Sequence, residues 1–413
     1  MTTHRTAIRR RLAIRGATHG PPLGRRKPGH HSIVAPLTAT LFATLAVGVG
    51  LAVARNGRGE DGSGEGAPSG ARKGAARPRR RRGKRGGRGR GRTQFSLTGD
   101  EPLAEAIQRA TLEQLDLAIS QLGGTAAKPD ERAVHETRKA LKRLRATMRL
   151  LRYELGEPTY RRERRVLAGV GARLSQTRDS EVMVETLDAL VNRHPSKLRG
   201  RGVKKLRRRL VSERKRARKR GVEDVHTRAL ALQELRALRS RVATWELRCE
   251  EDELLQRGLR PVYRSGRRRG RRAGRARRRR RDETMHEWRK RVKDLRHCAE
   301  LLQRDTGEPA AKGGRATRLA RVAARADELG ELLGEDHDLV LLTHVLGQRS
   351  IRKVTDRRTR RRLRRQIDRR RRKLRRRARR RGALLYRRKP AKFIAAAREQ
   401  VLAEARAARV PQR

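Results

Sequence analysis

One motif with the chemistry of an anion-binding site occurs twice in the chain. The segments VHETRKALKRLRATMRLLR, from Val134, and MHEWRKRVKDLRHCAELLQ, from Met285, align without gaps, and nine of 19 positions are identical. Both contain the pattern H-E-x-R-K-x-x-K-x-L-R. In a helix this spacing places the cations on one face. Guanidinium forks and ammonium groups in a row are the donors that bind successive phosphate groups.

Each repeat helix is predicted to have an apolar face that packs in a core and an adjoining basic face, which we call a rail. A single helix of this kind is usually just a solvated amphipathic helix. The same pattern in the same register in two copies favours a binding site. The first rail consists of His135, Arg138, Lys139, Lys142, Arg145 and Arg149, and the second consists of His286, Arg289, Lys290, Lys293 and Arg296.

The motif does not fit catalytic or metal chemistry. Lys139 and Lys290 stand where the second histidine of a zinc-peptidase H-E-x-x-H motif would be. His337 and His344 lie near aspartates, but their spacing matches no strict metal-binding pattern. The sequence contains neither a glycine-rich phosphate loop followed by Lys-Ser/Thr nor a G-x-S-x-G elbow. We therefore predict no catalytic residue, no metal and no cofactor.

Composition narrows the class of partner. The 112 Lys and Arg residues outnumber the 44 Asp and Glu residues, so the formal net charge is +68. Such a charge opposes compaction unless an anion screens it, which indicates a nucleic acid, an anionic membrane or another polyanion as partner. The chain has only two Trp, four Tyr and three Phe residues, which disfavours a protein that recognises RNA by base stacking. Two cysteines exclude a disulfide framework.

Apolar periodicity predicts an all-α fold. After Thr98, Leu and Ala recur at helical spacing almost to the C-terminus, without runs of alternating β-branched residues. A second pair of segments, LSQTRDSEV from Leu174 and LGEDHDLVL from Leu333, aligns Asp179 with Asp338. The folded region is thus predicted to be two copies of one helical unit. The Arg-rich run 357–381 keeps a narrow apolar stripe and is predicted to be a long basic helix.

Composition also predicts the organisation of the chain. The 32–54 segment has no charge and is long enough to span a bilayer, but it also suits a cleaved signal peptide ending at Ala52-Val53-Ala54 or a flexible extension. These three alternatives stay open. The predicted regions are a basic leader (1–31), the apolar segment (32–54), a disordered Arg/Gly-rich linker (55–97), a first helical half (98–263), an Arg-rich linker (264–281) and a second helical half (282–413).

The duplicated motif, followed by LSQTRDSEV and LGEDHDLVL, resembles the CHAD family, the conserved histidine α-helical domain. The resemblance covers roughly residues 100–407. It implies two pseudo-symmetric four-helix bundles around a basic groove or pore, which binds inorganic polyphosphate, often on polyphosphate granules. By position it assigns ligand contacts to rail residues of both copies. Two departures are Ser175, which aligns with Gly334, and Glu300, which interrupts the second rail.

The sequence therefore predicts a non-catalytic protein that binds polyphosphate on granules in the cytoplasm. Attachment of the protein to the membrane through 32–54 stays open. Non-specific binding of nucleic acid is the first alternative function, and processing of polyphosphate is the second. The oligomeric state does not follow from the sequence. We expect the rails to contribute more to binding than Arg277–Arg281, because arginines of a flexible linker must be ordered as they bind.

Overall fold

The computed structural model of the protein describes residues 95–98, 101–124, 131–220, 224–305 and 317–408. The predicted leader (1–31), the apolar segment (32–54) and most of the predicted linker (55–97) lie outside the described residues. Within the described ranges, no helix combines the length and the apolar character needed to cross a membrane.

The described chain is almost entirely helical, which confirms the predicted all-α class. The first seven helices are α1 (Leu103–Gly123), α2 (Glu131–Leu150), α3 (Arg152–Arg173), α4 (Ser175–Arg193), α5 (Pro195–Leu198), α6 (Arg201–Arg220) and α7 (Val225–Ala243). The remaining elements are α8 (Glu251–Glu253), a π-helix (Leu254–Leu259), α9 (Arg260–Arg275), α10 (Arg278–Leu301), α11 (Arg318–Val345), α12 (Arg349–Val354), α13 (Arg357–Leu385) and α14 (Pro390–Ala408). The predicted long basic helix is thus present as α13.

A short parallel pairing joins β1 (Leu97–Thr98) to β2 (Arg304–Asp305). The Leu97 backbone N–H donates to the Gln303 carbonyl over 2.9 Å. Phe95 and Leu97 are buried. The prediction of disorder as far as residue 97 was therefore wrong at its end, because these two apolar side chains reach the core and anchor the chain there.

Buried apolar residues form three clusters. The first lies among α1, α2, α3 and α7. The second is built around α9, α10 and the N-terminal part of α11. The third packs α4 and α6 against the C-terminal part of α11 and the N-terminal part of α13. The third cluster joins helices from both predicted halves, so the two halves share part of their core. The predicted two-bundle symmetry stays a prediction.

The two repeat helices, α2 and α10, pack directly against each other. The thiol of Cys298 donates to the Ala146 carbonyl over 3.5 Å at their contact. Arg149 forms an ion pair with Asp294 at 3.0 Å. The repeat aligns Arg149 with Glu300 and Arg143 with Asp294, and Arg143 and Glu300 are also electrostatic neighbours. The same two positions of the repeat therefore meet twice at this crossing. Helix α2 has an arginine at both positions, and helix α10 has a carboxylate at both.

The prediction of a linker over 264–281 was wrong, as was the boundary between 263 and 264, because α9 and the first turn of α10 cover this segment. Its glycines looked like linker residues, yet Gly266 makes room for the Tyr386 ring and Gly270 for the Trp288 ring. A Cβ added at Gly270 would lie 2.9 Å from the Trp288 ring, and one at Gly382 of α13 would also contact that ring. Trp288 thus packs between α9 and α13, which holds α9 close to its neighbours.

We predict that Gly270→Ala destabilises the protein relative to Gly274→Ala by about 1–3 kcal/mol, the typical cost of overpacking a core. Both glycines belong to α9, so both substitutions gain the same helix propensity. Nothing lies within 4 Å of a Cβ at Gly274. Thermal or urea unfolding of the two variants measures the difference. Equal stabilities would show that α9 does not pack on Trp288.

Candidate functional site: a basic cluster where the repeat helices cross

The crossing of α2 and α10 brings side chains of both rails together. Lys142 and Lys293 occupy equivalent positions in the repeat, and each is close enough to affect the charge of the other. Helix α4 contributes Asp179 and helix α11 contributes Asp338, and both carboxylates stabilise the charge of Arg289. The two aspartates that the sequence aligned therefore face one arginine. We call the group formed by Lys142, His286, Arg289, Lys293 and His337 the basic cluster.

Two arginines of the first rail are fixed by backbone carbonyls near the end of α3. Arg138 donates through Nη1 to the Leu174 carbonyl at 2.7 Å, and Arg145 donates through Nη2 to the Leu167 carbonyl at 2.5 Å. Cations are favourable at a helix C-terminus, where carbonyls lack partners within the helix. A side chain at Gly171 would collide with the Arg145 guanidinium, so the bare backbone there provides its space. A carbonyl fixes a guanidinium without cancelling its charge.

Two cations of the second rail are buried. Arg289 is largely buried and its Nε has no hydrogen-bond partner. Burial, followed by Arg289 and Lys142, lowers the pKa of Lys293 to about 7, although Asp338 opposes the shift. Burial also lowers the pKa of Arg289, and Asp338 and Asp179 oppose that shift. An anion among these side chains would stabilise the charged forms.

His286 packs against His337, with ring centroids 4.3 Å apart and an angle of 34° between the ring planes. Burial, Lys290 and Arg289 lower the pKa of His286 to about 4. Burial and the neighbouring His286, Arg289 and Lys293 lower the pKa of His337 to about 3. Both rings are therefore neutral at pH 7 when no anion is bound. His135, the equivalent of His286 in the first copy, is exposed instead.

Sequence reasoning considered His337 only as a metal ligand and missed it as a member of the basic cluster. The available signal was the second aligned pair of segments, in which His337 corresponds to Arg178, a basic residue in both copies. His344, the other histidine considered, is exposed. In the part of the chain that the structure describes, no three His, Cys, Asp or Glu side chains are grouped as metal ligands would be.

A family model matches the part of the chain that contains both repeat helices. The model of the CHAD domain matches residues 109–347, which is more than half of the chain.

The chain belongs to the CHAD family.

The crystal structure of the CHAD domain from the plant Ricinus communis is similar to this chain, with 18% sequence identity and a TM-score of 0.45. The match covers 79% of this chain and 99% of that one. No curated protein matches the chain significantly. The CHAD match includes both rails and Asp338 but ends before α13 begins at Arg357.

Two lysines of the CHAD motif pair with the glutamates of the same motif. Lys139 lies 3.5 Å from Glu136, and Lys290 lies 2.7 Å from Glu287. In each pair the lysine follows the glutamate by three positions on the same helix. The H-E-x-R-K pattern therefore contains its own ion pair in each copy. Both lysines border solvent, where such pairs contribute little to stability and separate easily.

Two predicted contact residues are held by carboxylates outside the basic cluster. Arg149 pairs with Asp294 across the helix crossing. Arg296 pairs with Glu300 at 2.7 Å and also with Asp327 of α11. Their charges are already compensated, so they support the geometry of the CHAD helices more directly than they supply charge to a ligand. Sequence reasoning could not foresee this because Asp327 and Asp294 belong to no rail.

We predict that the free energy of unfolding falls as the pH decreases from about 6.5 to about 4. The pKa values of His286 and His337 are lowered in the folded CHAD domain, so in this window the unfolded chain binds protons that the folded chain does not. Stability then decreases with falling pH. Thermal unfolding across the window should show a smaller decrease for His337→Asn than for the unchanged protein. The control is His226→Asn, at an exposed position of α7. Equal pH dependence of all three proteins would contradict this prediction.

Proposed function

We propose that the chain binds inorganic polyphosphate at the basic cluster and catalyses no reaction on it. The observation that carries this proposal is the convergence of both repeats on one cluster, in which burial lowers the pKa of Arg289 and of Lys293 in spite of the carboxylates beside them. A protein does not bury charge without compensation unless something else supplies it. A chain of phosphates supplies closely spaced anionic oxygens that match guanidinium and ammonium donors.

The aromatic residues support polyphosphate over nucleic acid. Tyr263 stacks on Phe393 at 3.9 Å and packs against Tyr386 at 5.2 Å, and all three rings are buried. Trp288 is also buried. These rings belong to the core and offer no platform for bases. Polyphosphate has no bases, so its recognition needs only the cations that the chain provides.

Binding at the cluster would be coupled to proton uptake. Lys293 has a pKa of about 7 and His286 has a pKa of about 4 in the unliganded cluster. Phosphates next to these groups raise both pKa values. The affinity is therefore expected to increase as the pH falls below neutrality. Cytoplasmic location at polyphosphate granules is part of the proposal, because the domain would accumulate where its ligand does.

We predict that Lys293→Met raises thermal stability without ligand and weakens polyphosphate binding. Methionine keeps an unbranched side chain one atom shorter than lysine and removes a largely buried cation that Arg289 and Lys142 repel. A charge-assisted contact of this kind contributes about 1.5–3 kcal/mol, which corresponds to a loss of roughly 10- to 150-fold in affinity. Calorimetric titration with long-chain polyphosphate and thermal unfolding measure the two effects. The matched control, Lys204→Met, removes the same charge from an exposed position of α6.

The two variants decide between a site and a diffuse polycation. If Lys204→Met weakens binding as much as Lys293→Met does, the cluster is not the site. If double-stranded DNA at equal phosphate concentration displaces polyphosphate from the unchanged protein, the alternative function of nucleic-acid binding is favoured.

We predict that the protein neither shortens nor extends polyphosphate, with or without Mg²⁺ or Mn²⁺. The basic cluster pairs its cations with Asp179 and Asp338 but has no nucleophile next to a base. Gel electrophoresis of polyphosphate over time measures the chain length. Cleavage that disappears in Asp338→Asn would make the protein an enzyme.

A further inference from the structure

A second cationic surface lies outside the basic cluster, on the segment that looked like a linker. A cleft of about 1280 Å³ is formed by α9 and the start of α10. Ten of its described lining residues are arginines, between Arg264 and Arg280. The other described lining residues are Ala276, Thr284 and Pro390, so none of them is acidic or aromatic. We call this surface the arginine cleft.

The described residues do not compensate the charge of the arginine cleft. No carboxylate lies within ion-pair distance of its ten arginines among the described residues, in contrast to the pairs that hold Arg149 and Arg296. A neighbouring cleft along α13 is different, because Glu335 pairs with two of its arginines, Arg193 and Arg370. The arginine cleft therefore combines a dense positive charge with a lack of carboxylate partners in the described part of the chain, although Arg267 donates to the Tyr386 carbonyl.

The arginine cleft is built on packed helices. Arg268, Arg271, Arg272 and Arg275 are exposed and recur at three- and four-residue spacing on one face of α9. The opposite side of α9 buries apolar and small residues, and Gly270 lies against Trp288. The backbone that carries these arginines is thus ordered before any ligand arrives. The expectation that Arg277–Arg281 belong to a flexible linker was wrong, because α10 begins at Arg278, so the low cost of ordering the backbone that we assigned to the rails applies to this whole segment too.

We propose that the arginine cleft is a second binding site for a flexible chain of phosphates, separate from the basic cluster. Guanidinium forks bind phosphate oxygens in pairs, and their spacing along α9 suits successive phosphates of one chain. Single-stranded nucleic acids need stacking platforms, which the described lining lacks. Readout of the bases of a DNA duplex requires elements that enter its grooves, whereas this surface is concave. The site shares its ligand class with the proposed function but none of its residues.

Arginine footprinting of the full-length protein tests the site directly. Phenylglyoxal modifies accessible arginines, and mass spectrometry locates the modified positions. Long-chain polyphosphate is expected to protect Arg268, Arg271, Arg272 and Arg275 at moderate salt. The reference arginines are Arg201, Arg208, Arg216 and Arg220 of α6, which are exposed and line neither cleft. Equal protection of the two sets, or no protection at the arginine cleft, overturns the proposal.

Matched variants measure the contribution of the site to binding. Replacing the four α9 arginines by Gln, or the four α6 arginines by Gln, removes the same charge, so the general electrostatic contribution to affinity changes equally in both variants. The α9 variant is expected to bind long-chain polyphosphate about tenfold more weakly than the α6 variant. Circular dichroism must show unchanged helicity in both variants. Equal losses would indicate a diffuse polycation. Stronger protection by double-stranded DNA than by polyphosphate at equal phosphate concentration would show that the ligand class is wrong.

Failure of this site and failure of the proposed function give different results. Lys293→Met changes only the basic cluster, so protection of the α9 arginines should persist in that variant if the two sites are separate. If Lys293→Met leaves affinity unchanged while the α9 substitutions reduce it, the basic cluster fails and the arginine cleft stands. Loss of α9 protection in Lys293→Met would overturn the claim of separate sites.

Discussion

Repulsion among like charges is the constraint on which the rest of this structure depends. With 112 basic and 44 acidic residues, most helices carry more positive charge than they can neutralise. Two buried carboxylates lie where a single carboxylate joins two arginines. Glu163, which is completely buried, accepts from Arg162 and from Arg241 of another helix. Buried Asp336 accepts from two arginines of α13. Leaving such a buried carboxylate unpaired would cost more than the pair itself contributes.

The sequence predicted the helices well where apolar residues recur on one side. Helix α13 is mostly arginine, yet Leu363, Ile367 and Leu374 are all buried, and their spacing alone was sufficient to predict it. Helix α9 escaped prediction because its packing side uses Gly266 and Gly270, which form a slot for aromatic rings rather than an apolar stripe. Helical periodicity detects side chains that fill space, and it misses glycines that leave space for a partner distant in sequence.

The residues of the candidate site that belong to the duplicated motif could be predicted from the sequence. Repetition of the motif identified the rails and placed their residues on one face of each helix. Which rail residues stay available depends on carboxylates contributed by other helices, such as Asp327 beside Arg296. Neither this pairing nor the stacking of His286 on His337 follows from spacing along one helix. The two aligned aspartates were visible in the sequence, but their convergence on Arg289 depends on how α4 and α11 are oriented.

The reversed charges at the crossing of α2 and α10 determine which helices can pair. Arg149 meets Asp294, and at the equivalent positions Glu300 is close to Arg143. If two copies of α2 from different molecules met in this crossing, Arg149 would face Arg143. Two copies of α10 would bring Glu300 against Asp294. Each repeat helix is thus complementary to the other and repels a second copy of itself, which disfavours pairing of like helices from two molecules while the chain folds.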